Sequence, residues 1–188
     1  MLLIESPHNE RFKKLLKLST DNKFRRKSKL FIIEGLKEIR AALEHNYELE
    51  EVYIDDKYKT AFPEKEFDQV SVTILKHDLF SRLVYREDAS YILAVLKEPV
   101  LDLSQIQLPE NPLIIILENI EKPGNLGALL RTCDAVGADA VILSQDHHNF
   151  FHPNVIRSSV GTVFSNQIAY AGAEEIKLWC KENNIKVY

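Results

Sequence analysis

The residues best placed to do chemistry lie between 118 and 132, Glu-Asn-Ile-Glu-Lys-Pro-Gly-Asn-Leu-Gly-Ala-Leu-Leu-Arg-Thr, where Asn125 and Arg131 follow Pro123-Gly124 and flank Gly127. The apolar run Leu113 to Leu117 before them reads as a strand buried on both faces. After them Leu126, Leu129, Leu130, Cys133 and Val136 recur at helical spacing, and Gly137 stops the helix. A loop between such a strand and helix is where open α/β sheets bind ligands. Asn125 is positioned to cap the helix, and Gly124 and Gly127 let a backbone or a phosphate come close. Arg131 falls about 140° from Leu126 at ~3.6 residues per turn, away from the apolar face. A guanidinium held there suits bidentate contact with a phosphate. The plain alternative is a capped helix with two packing glycines and a surface Arg131 paired to Asp134. The spacing is neither a dinucleotide fingerprint nor a Gly-Lys-Ser/Thr phosphate loop.

A second candidate is a segregation of charge. The chain of 188 residues has a net charge of −4, but residues 1 to 30 alone carry +6, including the consecutive Arg25, Arg26 and Lys27. Such a segment suits a polyanion, through counterion release and steering, and suits a solvated helix face equally well. His147, His148 and His152 lie on a polar loop beside Asn149 and Phe150, and no metal site is expected from them. Cys133 and Cys180 have neither the number nor the spacing of a disulfide framework, and both are expected to be buried free thiols.

With 45% apolar and 28% charged residues the composition is that of a folded soluble protein. No apolar run approaches the ~20 residues of a membrane span, and the start lacks the pattern of a signal peptide. A cytoplasmic location is expected. Strand and helix patterns alternate: a helix from about Asn9 to Ser19, a basic loop over 21 to 29, a strand at Phe31 to Ile33, a helix carrying Leu36, Ile39 and Leu43, strands at 52–54, 70–75 and 91–95, and helical patterns near Tyr58 and over 78–84. The alternation predicts an α/β fold with a mostly parallel sheet covered on both faces. Pro99, Pro109 and Pro112 mark residues 99–111 as a linker between a first domain, 1–98, and a second, 112–188. In the second, strands are expected at 140–143 and 166–170, helices at 153–160 and 173–183 with Trp179 as a packing residue, and the start of one more strand at Ile185 to Tyr188.

Residues 118 to 144 closely resemble the first signature motif of the SpoU (TrmH) family of RNA 2′-O-ribose methyltransferases. His152-Pro153-Asn154-Val155-Ile156-Arg157-Ser158-Ser159-Val160-Gly161-Thr162-Val163-Phe164 is similar to the family's next segment, with His152 where the family has Asn. Ser6-Pro7-His8-Asn9, the basic stretch and Phe31-Ile32-Ile33-Glu34-Gly35 resemble its N-terminal RNA-binding domain. The resemblance implies an α/β/α sandwich of the ribosomal-protein type, followed by the first part of a SPOUT-type trefoil-knot methyltransferase domain. It implies S-adenosylmethionine as cofactor, rRNA more than tRNA as substrate, and a homodimer in the full-length form. Asn125 would hold the catalytic geometry, and Arg131 would contact the phosphate beside the target ribose. Pro123, Gly124 and Gly127 would shape the active-site loop, and Arg157 and Ser158, with Arg25, Arg26 and Lys27, would touch RNA.

The family's second and third motifs, which bind S-adenosylmethionine and close the knot, do not occur in these 188 residues. A C-terminally truncated and inactive form is therefore expected. A non-catalytic RNA-binding protein working through its first domain is the alternative from another class, and a small-nucleotide-binding enzyme is a third.

Overall fold

A computed structural model describes residues 1–85, 90–144 and 149–188. The chain divides into two units, Met1–Pro99 and Val100–Tyr188.

The first unit contains β1 (Leu2–Ile4), α1 (Glu10–Thr20), α2 (Asn22–Ser28), β2 (Leu30–Glu34), α3 (Leu36–Glu44), β3 (Leu49–Asp55), β4 (Ser71–Leu75), α4 (His77–Phe80) and β5 (Ile92–Lys97), with 3-10 turns at Asp56–Ala61 and Glu64–Glu66. Its sheet has the order β1-β4-β3-β5-β2. Side chains alternate across it. Ile32, Tyr53, Leu93 and Val95 pack with Phe12, Leu15 and Leu18 of α1 and with Leu79 and Phe80 of α4. Their strand neighbours Phe31, Ile33, Val52, Ile54, Ile92 and Ala94 are buried on the opposite face, as are Ile39 and Ala42 of α3. The result is the expected α/β/α sandwich, but its sheet is mixed. β4 is parallel to β1 and β3, whereas β5 runs antiparallel to both β3 and β2. A parallel return usually runs through a helix that spans the sheet. α4 is a single turn of 4 residues, and the chain re-enters the sheet from the edge it has just left.

The basic stretch read as a loop is the helix α2, whose N-cap Asp21 accepts a hydrogen bond from the Phe24 N–H at 3.0 Å. Its inward position is filled by Arg25, which hides the apolar period that marks most helices.

The second unit contains a 3-10 turn at Leu103–Gln105, then β6 (Ile114–Leu117), α5 (Pro123–Ala135), β7 (Ala140–Leu143), α6 (Pro153–Ser159), α7 (Thr162–Ser165), β8 (Ile168–Tyr170) and α8 (Ala173–Glu182). Its strands are all parallel, in the order β6-β7-β8. One core cluster joins Ile142 and Ala169 to Ile176 and Cys180 of α8, with Trp179 packed against it.

Three expectations change here. Much of the segment read as a linker is part of this unit: Leu103 is buried in that core, the Tyr170 N–H donates to the Leu101 carbonyl, and Gln107 and Gln167 exchange two hydrogen bonds. Prolines break periodicity without preventing a chain from packing. Among the described residues β6 pairs with β7 alone and Ile116 is 37% exposed, where burial on both faces was expected. Ile185 to Tyr188 form no strand; Ile185 turns back onto the core, and its N–H donates to the Cys180 carbonyl at 2.8 Å. Among the described residues no helix is long and apolar enough to cross a membrane.

Candidate active site

α5 begins earlier than its apolar period suggests. Lys122 is the N-cap and Pro123 the first helical residue, where a fixed φ and a missing N–H cost nothing. Asn125 is therefore inside the first turn and does not cap; its N–H donates to the Lys122 carbonyl at 3.0 Å and its side chain is exposed. The approach to the helix bends at Asn119, which adopts a left-handed φ of 56°.

Gly124, Ala128 and Arg131 follow at i, i+4 and i+7, so they share one stripe of α5. A Cβ added at Gly124 would meet nothing within 4 Å. Arg131 stands about 10 Å further along the axis, at ~1.5 Å per residue. It is exposed and has no ion-pair partner among the described residues. Asp134, the partner a bland surface arginine would take, instead accepts from Ser165 Oγ at 2.6 Å. Asn125 lies on the adjoining stripe, about 120° from Arg131 by the helical period. One face thus offers hydrogen-bond donors and a full positive charge beside an open lane at the carboxyl end of β6.

Gly127 does different work. A Cβ there would lie 1.9 Å from Ser158 Oγ, 2.8 Å from the Ser159 nitrogen and 2.8 Å from the Val155 carbonyl, so α6 crosses α5 directly over it. Ser158 is consumed in that crossing: its hydroxyl donates to the Asn154 carbonyl at 2.6 Å. Its half-buried side chain belongs to the packing between α5 and α6. Arg157, one residue earlier, is exposed.

His152 caps α6, its Nδ1 accepting from the Asn154 N–H at 3.1 Å, a task an Asn performs equally well. His147 and His148 lie outside the described residues. Cys133 and Cys180 are buried and free, and burial pushes both thiols up. Asn166 was not anticipated. Its buried side chain donates to the Leu130 carbonyl at 3.3 Å and the Thr162 carbonyl at 2.6 Å, tying α5 to α7. No local signal marks it, because both acceptors are backbone atoms.

In the first unit, Arg25 is 1% exposed. Its Nη1 donates to the Leu18 and Ser19 carbonyls at 2.7 and 3.2 Å, satisfying the last turn of α1, and burial lowers the guanidinium pKa. It is a buried cap and cannot also be an RNA contact. Lys27 is exposed on α2 and Arg26 is half-buried. Lys23 precedes Lys27 by one turn and is exposed as well.

Residues 112–188 match the SpoU rRNA methylase family, and residues 9–94 match an MRM3-like substrate binding domain. The chain is 29% identical over its whole length to a 23S rRNA (guanosine-2′-O)-methyltransferase of Bacillus subtilis, spanning 73% of that protein. It is 27% identical to a 23S rRNA (uridine-2′-O)-methyltransferase of Streptomyces viridochromogenes, covering 84% of this chain and 56% of that one. The crystal structure of an RNA 2′-O ribose methyltransferase superposes with a TM-score of 0.78 at 32% identity, over 97% of this chain and 70% of that one. The chain belongs to the SpoU family of RNA methyltransferases.

In this SpoU chain Arg131 and Asn125 are exposed side by side on α5, and neither side chain has a partner among the described residues. The polar side chains on this face of α5 are the Arg131 guanidinium and the Asn125 amide, both able to donate to the anionic oxygens of RNA. The buried residues Leu126, Leu130 and Cys133 on the other side of α5 hold that face in place.

Proposed function

We propose that the protein methylates a ribose 2′-hydroxyl of large-subunit rRNA, with S-adenosylmethionine as the methyl donor. The observation that carries this reading is Arg131, exposed and without an ion-pair partner among the described residues, on the same helix stripe as the open Gly124. A ribose hydroxyl is a poor nucleophile near neutral pH, so it must be positioned and its developing negative charge stabilised. An arginine side chain stays protonated in proteins, which makes it a clamp and a charge stabiliser and not a proton acceptor. Arg131 would hold the phosphate next to the target ribose in bidentate fashion, and Asn125 would fix the sugar from the adjoining stripe. When bound, S-adenosylmethionine supplies a methyl group made electrophilic by its sulfonium. An rRNA substrate is compatible with the cytoplasmic location expected from the sequence. The family resemblance also supports a homodimer, which sizing of the full gene product would read.

The test is methyl transfer from labelled S-adenosylmethionine to rRNA by the full gene product that carries these residues. Arg131→Ala should lower kcat by about 10²- to 10³-fold, the scale for loss of a charge-stabilising donor. Cofactor affinity should stay near wild type, and its loss instead would mean that Arg131 sits on the cofactor side. RNA binding without methyl transfer by the unaltered gene product would favour the non-catalytic reading.

A further inference from the structure

The site on α5 leaves unused a set of side chains in the first unit. Strand directions line up the ends of β1, β4, β3 and β2 and the start of β5 along the carboxyl edge of the five-stranded sheet. At the middle of that edge Asp55, the last residue of β3, is 1% exposed. Its Oδ2 lies 2.7 Å from His77 Nδ1, and its Oδ1 accepts from the Lys57 N–H at 3.0 Å. Asp56 grips the same histidine through its backbone, the His77 N–H donating to Asp56 Oδ1 at 2.9 Å. A buried carboxylate is costly unless paired, and here it fixes the plane of a partly exposed imidazole. Among the described residues the other ring nitrogen, Nε2, meets only Ser81 Oγ at 3.5 Å, while that hydroxyl donates to the His77 carbonyl at 2.9 Å. A contact of that length is at the limit of a hydrogen bond.

Aromatic rings lie along the same edge. Tyr58, in the 3-10 turn that starts at Asp56, is 40% exposed, and its ring centroid lies 5.9 Å from that of Tyr91. The Tyr91 carbonyl accepts from the Asp55 N–H at 3.0 Å, so the pair sits beside the Asp55–His77 couple. Further along the edge Tyr85 is 66% exposed, with its N–H bonded to Glu34 at the end of β2 at 2.9 Å. Lys57 and Lys59 are exposed on either side of Tyr58. Exposed rings next to ammonium groups are the chemistry that stacks unpaired bases. Glu5, Glu34 and Asp56 share the edge, which weighs against a duplex backbone or an anionic lipid surface; carboxylates do accept from the amino groups of base edges.

We propose that this edge holds unstacked nucleotides of the substrate RNA. Tyr58 and Tyr91 form one stacking platform and Tyr85 a second, and His77 Nε2, oriented by Asp55, bonds a ribose hydroxyl. The proposal rests on the RNA-substrate reading but is separable from it. α2, with Lys23 and Lys27, runs into the start of β2 at the opposite edge and would grip phosphates independently.

The experiment measures binding of the 188-residue chain to a labelled single-stranded RNA of about a dozen nucleotides, within the ~4 to 16 typical of stacking sites, and to the duplex of the same sequence. Tyr58→Ala should weaken single-strand binding about tenfold, Tyr58→Phe should restore it, and adding Tyr85→Ala should weaken it further. The salt slope and duplex binding should not change with these variants, whereas Lys23→Ala with Lys27→Ala should weaken both RNAs and flatten the slope. His77→Gln should reduce the preference for RNA over the matching DNA strand, and an unchanged preference would remove His77 from the proposal. Tyrosine variants that melt and bind like wild type, or a loss that Phe does not restore, would overturn the stacking edge; with the lysine effect intact, the RNA reading would survive. A chain that binds neither RNA would overturn both.

Discussion

A methyl group at Gly127 would stand 2.8 Å from two backbone atoms of α6, and backbone cannot swing aside as a side-chain tip can. Gly127→Ala should therefore destabilise the second unit by about 1–3 kcal/mol, the usual cost of overpacking, read as a lower urea midpoint. Gly124→Ala, facing open space, is the matched control. Arg25 makes a similar point by burial. Its sequence neighbourhood, Arg25-Arg26-Lys27, reads as one patch, yet a single side chain of the run turns inward to the end of α1. Arg25→Ala should lower stability by roughly 1–3 kcal/mol, because the carbonyls it serves lose their donor, while the salt slope of RNA binding stays as it was. A flatter slope at unchanged stability would restore it to the RNA contacts.

At the level of elements, the site depends on how α5 is held. Its buried side packs on α6 and α7, and two side chains secure those neighbours: His152 starts α6, and Asn166 joins α7 to α5 through backbone carbonyls. His152→Asn should leave stability near wild type, since an amide oxygen can take the same N–H. His152→Ala should cost about 1 kcal/mol, the typical value of a lost N-cap. Equal losses from both changes, read by thermal melts, would show that the imidazole has another duty. The start of α5 was misplaced by sequence reasoning because Asn is a strong cap and the apolar period begins at Leu126. Pro123 outweighs both, since its φ already suits the first turn. α2 was missed for the opposite reason, its inward residue being a charged one.

At the level of the molecule, each unit has its own sheet and its own buried cluster. Residues 1–99, produced alone, should unfold in one cooperative urea transition; a broad, non-cooperative one would mean that this unit needs the second to fold. The division of labour follows from chemistry. The exposed amide and guanidinium of Asn125 and Arg131 stand on α5, and exposed tyrosines gather at the carboxyl edge of the first sheet.

The sequence by itself determined the α/β class, most of the strand and helix order, the Asn125–Arg131 segment and its family, because each rests on local period, turn chemistry or a contiguous motif. Only the tertiary structure decided that the first sheet is mixed, that Arg25 is buried and Ser158 packed against Gly127, that Asp134 takes Ser165 and not Arg131 as its partner, and that Asp55, Tyr58, His77, Tyr85 and Tyr91 share an edge. Those facts depend on which backbone passes beside which side chain across tens of residues, and no local pattern encodes that.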